Sequence, residues 1–375
     1  MTSQTTAKKT KSVREPLFHV VKRTNMDVKK KVLVYAIAIV SSLLLASILC
    51  AVIGGTNPFS VLASLLSGSF STQRRIKVFI QQFSLLLLVS MAVVPAFRMK
   101  FWNLGANGQV LVSCLACAAC MHFLGGVIPD IWVNLLMIVC SILAGVLWAV
   151  IPAVFKAFFN TNETLFTLMM NYIAEALTSY CLCVWTIDTD TNGVLNPMEN
   201  AHLPMVVSQY FAVALVAVIV TVAVSVYLRY SKHGYEISVV GGSENTARYI
   251  GINVKKVVIR TLVLSGAVCG IVGLLLTGGI NYTVTSTMHD GMGFTAIMTV
   301  WLAKFNPLFI VATSFFVALV TRGMTQVNID CGFTDTSTAN IVLGVIYFCI
   351  IACDFLINYR VVFRHKNKAK EATQC

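Results

Sequence analysis

Charge is what this sequence has least of. Only 11% of its 375 residues are Asp, Glu, Lys or Arg, where an ordinary soluble domain carries roughly 25%. A further 57% are hydrophobic, more than one water-soluble core can hide, because such cores stop growing at about 250–300 residues. Apolar runs nevertheless recur from Val32 to Phe363. Much of that surface must face lipid, which defines a polytopic membrane protein before any motif is read.

Other absences exclude chemistry. The dipeptide Gly-Lys occurs nowhere, so no P-loop can cradle a nucleotide here, and any ATP that drives the protein must be bound by another chain. The HExxH spacing of metalloproteases is missing, and the six histidines form no cluster. The first 31 residues have no apolar h-region, so they are not read as a cleavable signal and the first span is expected to remain as an anchor. Twelve cysteines are present, but Cys114, Cys117, Cys120, Cys181, Cys183, Cys269 and Cys349 fall inside apolar stretches and read as small packing residues. Cys114, Cys117 and Cys120 have CxxC spacing without a second ligand cluster. No catalytic residue, metal site or cofactor is therefore expected, and the chain is not read as an enzyme.

What is present is basic: 28 Lys and Arg against 15 Asp and Glu, a net charge of +13. Nucleic acid is the usual reading of such a balance, but here the charge sits in the tails and at the edges of apolar runs. Topology-setting charge explains the same residues.

A crossing helix needs about 20 mainly apolar residues. About ten candidates are read, at 32–53, 78–97, 106–127, 131–152, 164–185, 209–228, 261–280, 292–303, 305–322 and 338–358. The eighth is too short for a simple crossing, and the third opens on a Gly-rich stretch. With the N-terminus inside and strict alternation, all of the 28 Lys and Arg except Arg74, Arg75, Lys77 and Arg322 lie on the cytoplasmic side. That bias predicts cytoplasmic termini: a basic tail over 1–31, a transmembrane domain over 32–358 and a second basic tail over 359–375.

The expected fold is all-α with an inverted repeat. Asn103-Leu-Gly105-Ala-Asn107-Gly108-Gln109 leads into the third span, and His289-Asp290-Gly291-Met292-Gly293-Phe294 leads into the eighth. Five spans separate them, so they enter from opposite faces, with spans 2–5 matched to spans 7–10. Each glycine pair permits a half-helix whose free N–H groups point inward.

The loop 229–260 is long and charged, and long ordered loops tend to be functional. Within it the ends of a short helix, Glu244–Ile250, are legible: Ser243 as N-cap, Glu244 at the positive end of the dipole, Arg248 four residues on, and Gly251 as terminator. Two turns are marginal alone in water, so a partner is expected to hold them.

Acids inside spans are expensive, about 2.5–3.5 kcal/mol at a helix centre, and only Glu175 and Asp354 qualify. Glu175 lies four residues after Asn171, on the same helix face. Asp354 reads as interfacial. So few buried charges disfavour proton or sodium coupling. Gln81, Gln82, Asn107, Gln109 and Asn171 complete the polar inventory; they suit an uncharged hydroxylated or amide-bearing substrate, or simply bond helices together.

These residues resemble the permease subunits of ABC importers for branched-chain amino acids, ribose-type sugars and nucleosides. The likeness covers about residues 35–358. It rests on Phe101–Gln109, on Asn162-Glu163 through Asn171-Tyr172, which is similar to the nucleoside-type branch, and on Val240–Ile252, which resembles the cytoplasmic coupling helix. Two departures stand out: the family commonly has an acid where Asn107 stands, and a small residue in place of Thr246.

The resemblance implies a substrate path through Asn103, Gly105, Asn107, Gly108, Gln109, Asn171, Glu175, Gly291, Gly293 and Phe294. It implies coupling to an ATPase through Ser243, Glu244, Asn245, Ala247, Arg248, Tyr249 and Gly251. It also implies an ABC ATPase, a second related permease subunit and an extracellular lipid-anchored binding protein as partners, in a bacterial plasma membrane, with a nucleoside as cargo. The alternatives are a sugar or branched-chain amino acid permease, or an ion-coupled carrier or channel.

Overall fold

The structure, a computed structural model, describes residues 18–22, 28–187, 194–200, 202–204, 208–332, 341, 344–349, 351–352 and 359–363. The predicted last span at 338–358 lies mostly outside them, as do Asp354 and most of both tails.

Helices dominate. In chain order they are α1 (Val28–Gly54), α2 (Pro58–Phe70), α3 (Gln73–Arg98), α4 (Ala106–Leu124), α5 (Asp130–Phe159), α6 (Glu163–Trp185) and α7 (Gln209–Tyr230). There follow α8 (Lys232–Gly242), α9 (Glu244–Tyr249), α10 (Val254–Leu274) with a π-helical extension over Leu275–Asn281, α11 (Met292–Leu302) and α12 (Pro307–Asp330). Two short strands, β1 (Phe18–Lys22) and β2 (Tyr359–Phe363), pair antiparallel with Phe18 opposite Phe363 and Lys22 opposite Tyr359.

Six of these helices are long and apolar enough to cross a membrane, or seven if the bent pair α1–α2 counts as one. α6 is long enough at 23 residues but more polar, and α11 has only 11 residues.

Several helix starts follow from local chemistry. A side-chain oxygen accepts an early backbone N–H at Asn57 (from Phe59), Asn162 (from Thr164 and Leu165), Ser208 (from Phe211), Ser231 (from Gly234), Asn253 (from Lys256) and Asn306 (from Leu308). Each satisfies a donor the helix itself cannot. At α2 and α12 a proline follows the cap, where its missing N–H costs nothing.

Burial separates the layers. The apolar stretches of α3, α4 and α10 are 72%, 67% and 67% buried, against 28% for α5 and α7, so the first three form the centre and the latter two keep a broad face for lipid. Small residues let the centre close: a Cβ on Gly145 of α5 or Gly266 of α10 would run into the other's backbone, and Ser141 Oγ donates to Gly270 O at 2.9 Å at the same crossing.

The structure corrects several boundaries. The segment 58–70, which the 20-residue window passes over, is a separate helix, α2, bent 110° from α1. The long loop 229–260 is mostly helical: α8 precedes the short helix, and the next span starts at Val254 rather than at residue 261. α5 and α12 run further than expected, to Phe159 and Asp330, because Pro152 and Arg322 are carried inside the helices rather than ending them.

Candidate functional site

Two helix starts meet inside the bundle. α4 begins at Ala106 after a buried approach, and α11 begins at Met292. The first backbone N–H groups of each need acceptors from outside the helix, and within lipid an unmet group costs several kcal/mol. Asn107 supplies one across the junction: its Oδ1 accepts the Gly293 N–H at 2.7 Å. A side chain at Gly293 would collide with Asn107, so only glycine permits that approach. Gly291, at φ +63°, turns the chain into α11.

α6 serves the same junction from the side. Asn171 Oδ1 accepts the Gly108 N–H at 2.8 Å, while its Nδ2 donates to Leu104 O at 2.9 Å. Thr167, one turn earlier, accepts the Leu104 N–H at 3.1 Å. One turn later, Glu175 meets the ring of His289. The Nδ1 of His289 accepts the Gly291 N–H at 3.0 Å, which leaves the ring proton on Nε2 to donate to Glu175 Oε1 at 3.2 Å. Thr167, Asn171 and Glu175 thus form one polar stripe along α6 at four-residue spacing, with Glu175 the more open end at 40% side-chain exposure.

Asn103 and Gln109 turn toward α10 instead. Asn103 Oδ1 accepts from Gly105 N and Gln109 Nε2, Asn103 Nδ2 donates to Ser265 Oγ at 3.3 Å, and Ser265 Oγ donates to Gln109 Oε1 at 3.4 Å. All three side chains are buried and the triangle closes on itself, binding α4 to α10. Gly105 has Thr167 and Asn103 against the place a Cβ would occupy. Phe294 makes none of these polar contacts and is 45% exposed. Beyond the junction, Trp102 and Trp301 stack at 5.3 Å, flanked by Phe97 and Phe305.

At the end of the bundle where α3 finishes, α8 and α9 project. Ser243 caps α9 by accepting the Thr246 N–H at 3.3 Å, Glu244 and Arg248 pair at 3.6 Å, and Gly251 leaves the helix at φ +84°. Ala247 is the buried residue of this helix, packed into the core, whereas Tyr249 is 93% exposed and Asn245, Glu244 and Arg248 face outward. A cavity of about 970 Å³ opens beside it, lined by Arg98, Lys100, Arg229 and Lys304 together with Gly241 and Gly242. In the first turn of α8, His233 is buried, with Nδ1 2.8 Å from the Tyr227 hydroxyl and Nε2 3.4 Å from Val257 O. Burial holds its pKa below the usual histidine value, with Arg260 adding to the effect and the Val257 carbonyl and Glu236 opposing it.

Sequence reasoning missed Thr167 and Ser265, and it names His289 only as part of the chain leading into α11. Thr167 was available as the residue one turn before Asn171. Ser265 and His289 act through tertiary contact, which no local pattern announces. Among the described residues no group of three His, Cys, Asp or Glu side chains is placed to hold a metal ion. The arrangement offers neutral donors and acceptors and one imidazole-paired carboxylate.

Residues 75–351 match a family model described as the branched-chain amino acid transport system permease component. Among curated proteins, the chain is 27% identical over 335 residues to the guanosine ABC transporter permease protein NupP of Bacillus subtilis, covering 87% of this chain and 94% of that one. It is 24% identical to the nucleoside ABC transporter permease protein NupB of Lactococcus lactis, covering 92% and 97%. It is also 24% identical to the glucose ABC transporter permease protein TsgB13 of Haloferax volcanii, covering 76% and 78%. With the family model spanning most of its length, this multi-pass chain belongs to the branched-chain amino acid transport system permease family.

Proposed function

We propose that this chain is the substrate-translocating subunit of an ATP-driven nucleoside importer, with the junction of α4, α6 and α11 on the substrate path and α9 as the lever that an ATPase moves. The observation that carries the path is the bond from Gly293 N to Asn107 Oδ1, which joins the first turns of two helices far apart in the chain. A junction of this kind is the usual construction of a midplane site built on discontinuous helices. Asn103, Gly105, Gly108, Gln109, Asn171, Glu175, Gly291 and Phe294 frame it, with the Asn103–Gln109–Ser265 triangle acting as its support.

The lever reading draws on α9: a short capped helix anchored by Ala247 that turns Tyr249 and the Glu244–Arg248 pair outward. Ten crossings related by an inverted repeat, with both tails in the cytosol, complete the reading. The β1–β2 ribbon supports it, because strands paired on one face require an even number of crossings between them. The remaining partners are a second related permease, an ABC ATPase and a lipid-anchored extracellular binding protein in a bacterial plasma membrane. Nucleosides are favoured as cargo by the relatives' names and by the neutral amides of the junction.

The test is reconstitution in vesicles with the ATPase and binding protein that co-purify in mild detergent. ATP-dependent uptake of labelled guanosine or another nucleoside is expected, and no uptake without the ATPase. Uptake of glucose but not nucleosides would move the cargo to sugars, and uptake driven by an ion gradient alone would overturn the reading.

A further inference from the structure

Cations outside the cytoplasmic side are the exception in this chain, and three of the four gather at one place. Arg74 and Arg75 open α3, about 36 Å from Arg98 at its other end. Arg322 lies on α12, in the half of that helix far from the Lys304 end. With Gly68, Val78, Thr325, Gln326 and Ile329 they line a cavity of about 320 Å³.

The guanidinium groups there are incompletely answered. Arg75 Nη1 donates to Ser67 O at 3.2 Å and Ser71 Oγ at 3.0 Å, closing the end of α2. The buried Nε of Arg322 has no hydrogen-bond partner. Asp290 is near enough to act on Arg322 electrostatically, yet among the described residues no ion pair forms with any of the three arginines. Asp330, on the rim, is bonded to Gln326 at 2.7 Å instead. An arginine carried inside a spanning helix is costly and marks a functional site by default, and guanidinium forks match phosphate oxygens in geometry and charge.

The rim says where the anion comes from. Ile329 is 69% exposed, and Leu66 and Phe70, on either side of Gly68, are exposed at 55% and 44%. Arg74 and Arg75 follow the short turn between α2 and α3, and arginines near the end of a spanning helix reach for the headgroup level. A soluble anion gains nothing from so apolar a border, whereas a lipid places its acyl chains there.

We propose that this cavity holds the phosphodiester headgroup of an anionic phospholipid from the leaflet opposite α9. The cavity shares no lining residue with the α4–α11 junction, and its test needs no transport.

The full chain, purified in mild detergent, would be stripped of lipid and titrated with phosphatidylglycerol, phosphatidylcholine or inorganic phosphate. Bound lipid would be counted by native mass spectrometry and melting followed in parallel. Phosphatidylglycerol is expected to be retained about tenfold over phosphatidylcholine, corresponding to about 1.4 kcal/mol, and to raise the melting temperature. Arg322→Gln should abolish that preference. Arg74→Gln, an exposed change that leaves helix packing alone, should reduce it several-fold even if the first variant fails to fold. Equal retention of the two lipids, a preference that survives Arg74→Gln, or full stabilisation by inorganic phosphate alone would overturn the proposal. So would loss of binding-protein capture in Arg74→Gln with lipid retention unchanged, because the arginines would then serve a protein.

Discussion

Asn107 and Gly293 are 186 positions apart in the chain, yet the side-chain oxygen of one accepts the backbone N–H of the other at 2.7 Å. The bond satisfies a donor that α11 cannot satisfy itself, and it fixes the starts of α4 and α11 to each other. Interhelical hydrogen bonds in membranes average about 0.6 kcal/mol and reach about 1.7. Asn107→Ala should therefore lower stability only by that much while cutting transport at least tenfold, measured by thermal melting in detergent and by uptake in vesicles. Gly293→Ala, which forces a Cβ onto Asn107, should be worse on both counts.

Arg248→Glu places two carboxylates one turn apart on α9. The wild-type pair is exposed and such pairs contribute roughly 0.3–0.5 kcal/mol, so folding and membrane insertion should be unaffected. ATP-driven uptake should be lost, with the variant's yield and melting close to wild type. Normal uptake by a normally expressed variant would remove α9 from the coupling role.

The pairing of Glu175 with His289 separates charge from shape. Glu175→Gln keeps an oxygen to accept the Nε2 proton, so uptake of an uncharged nucleoside should stay within about twofold of wild type, since one neutral bond replaces a charge-assisted one. His289→Ala removes the acceptor for the Gly291 N–H and should impair uptake far more. Equal losses in the two variants would mean that the carboxylate charge itself is needed.

His233 gives a pH dependence of definite sign. Its native pKa is held below the usual 6.5 by burial, so the unfolded chain takes up a proton that the folded protein resists. The stability this residue contributes is complete above pH 6.5 and is lost as pH falls from there through the native value. Melting temperature should drop between about pH 7 and about pH 5, the range in which an ordinary histidine titrates. His233→Gln should flatten that part of the curve, and a variant that melts with the same acid slope as wild type would refute the assignment.

Much of this was legible in advance, and the reasons are local. Ser243, the Glu244–Arg248 spacing and Gly251 are each sufficient to mark an end or a face of α9, and the structure ends the helix one residue earlier, at Tyr249. The starts of α4 and α11 were legible from their glycines. α2 escaped because its 13 residues continue an apolar stretch already long enough for a crossing, and the break is recorded only in the five residues Gly54–Pro58, with Gly55 at φ +62° and Asn57 as the cap. α8 escaped because its charges, at Lys232 and Glu236, read as loop. Gln109 belongs to the polar inventory that the sequence offers and Asn103 to the path that the resemblance implies, but their partner Ser265 is 156 residues from Gln109, and local periodicity has no access to such a separation.

The ribbon of β1 and β2 has a consequence for biosynthesis. Its second strand leaves the ribosome only after every span between residues 22 and 359 has been made, so the clasp can shut only on a fully threaded chain. An isolated two-stranded ribbon is marginal in water, which makes it a late and reversible fastening. Truncating either strand should leave insertion of the individual helices intact while exposing the surviving strand's open edge to proteases and to neighbouring chains.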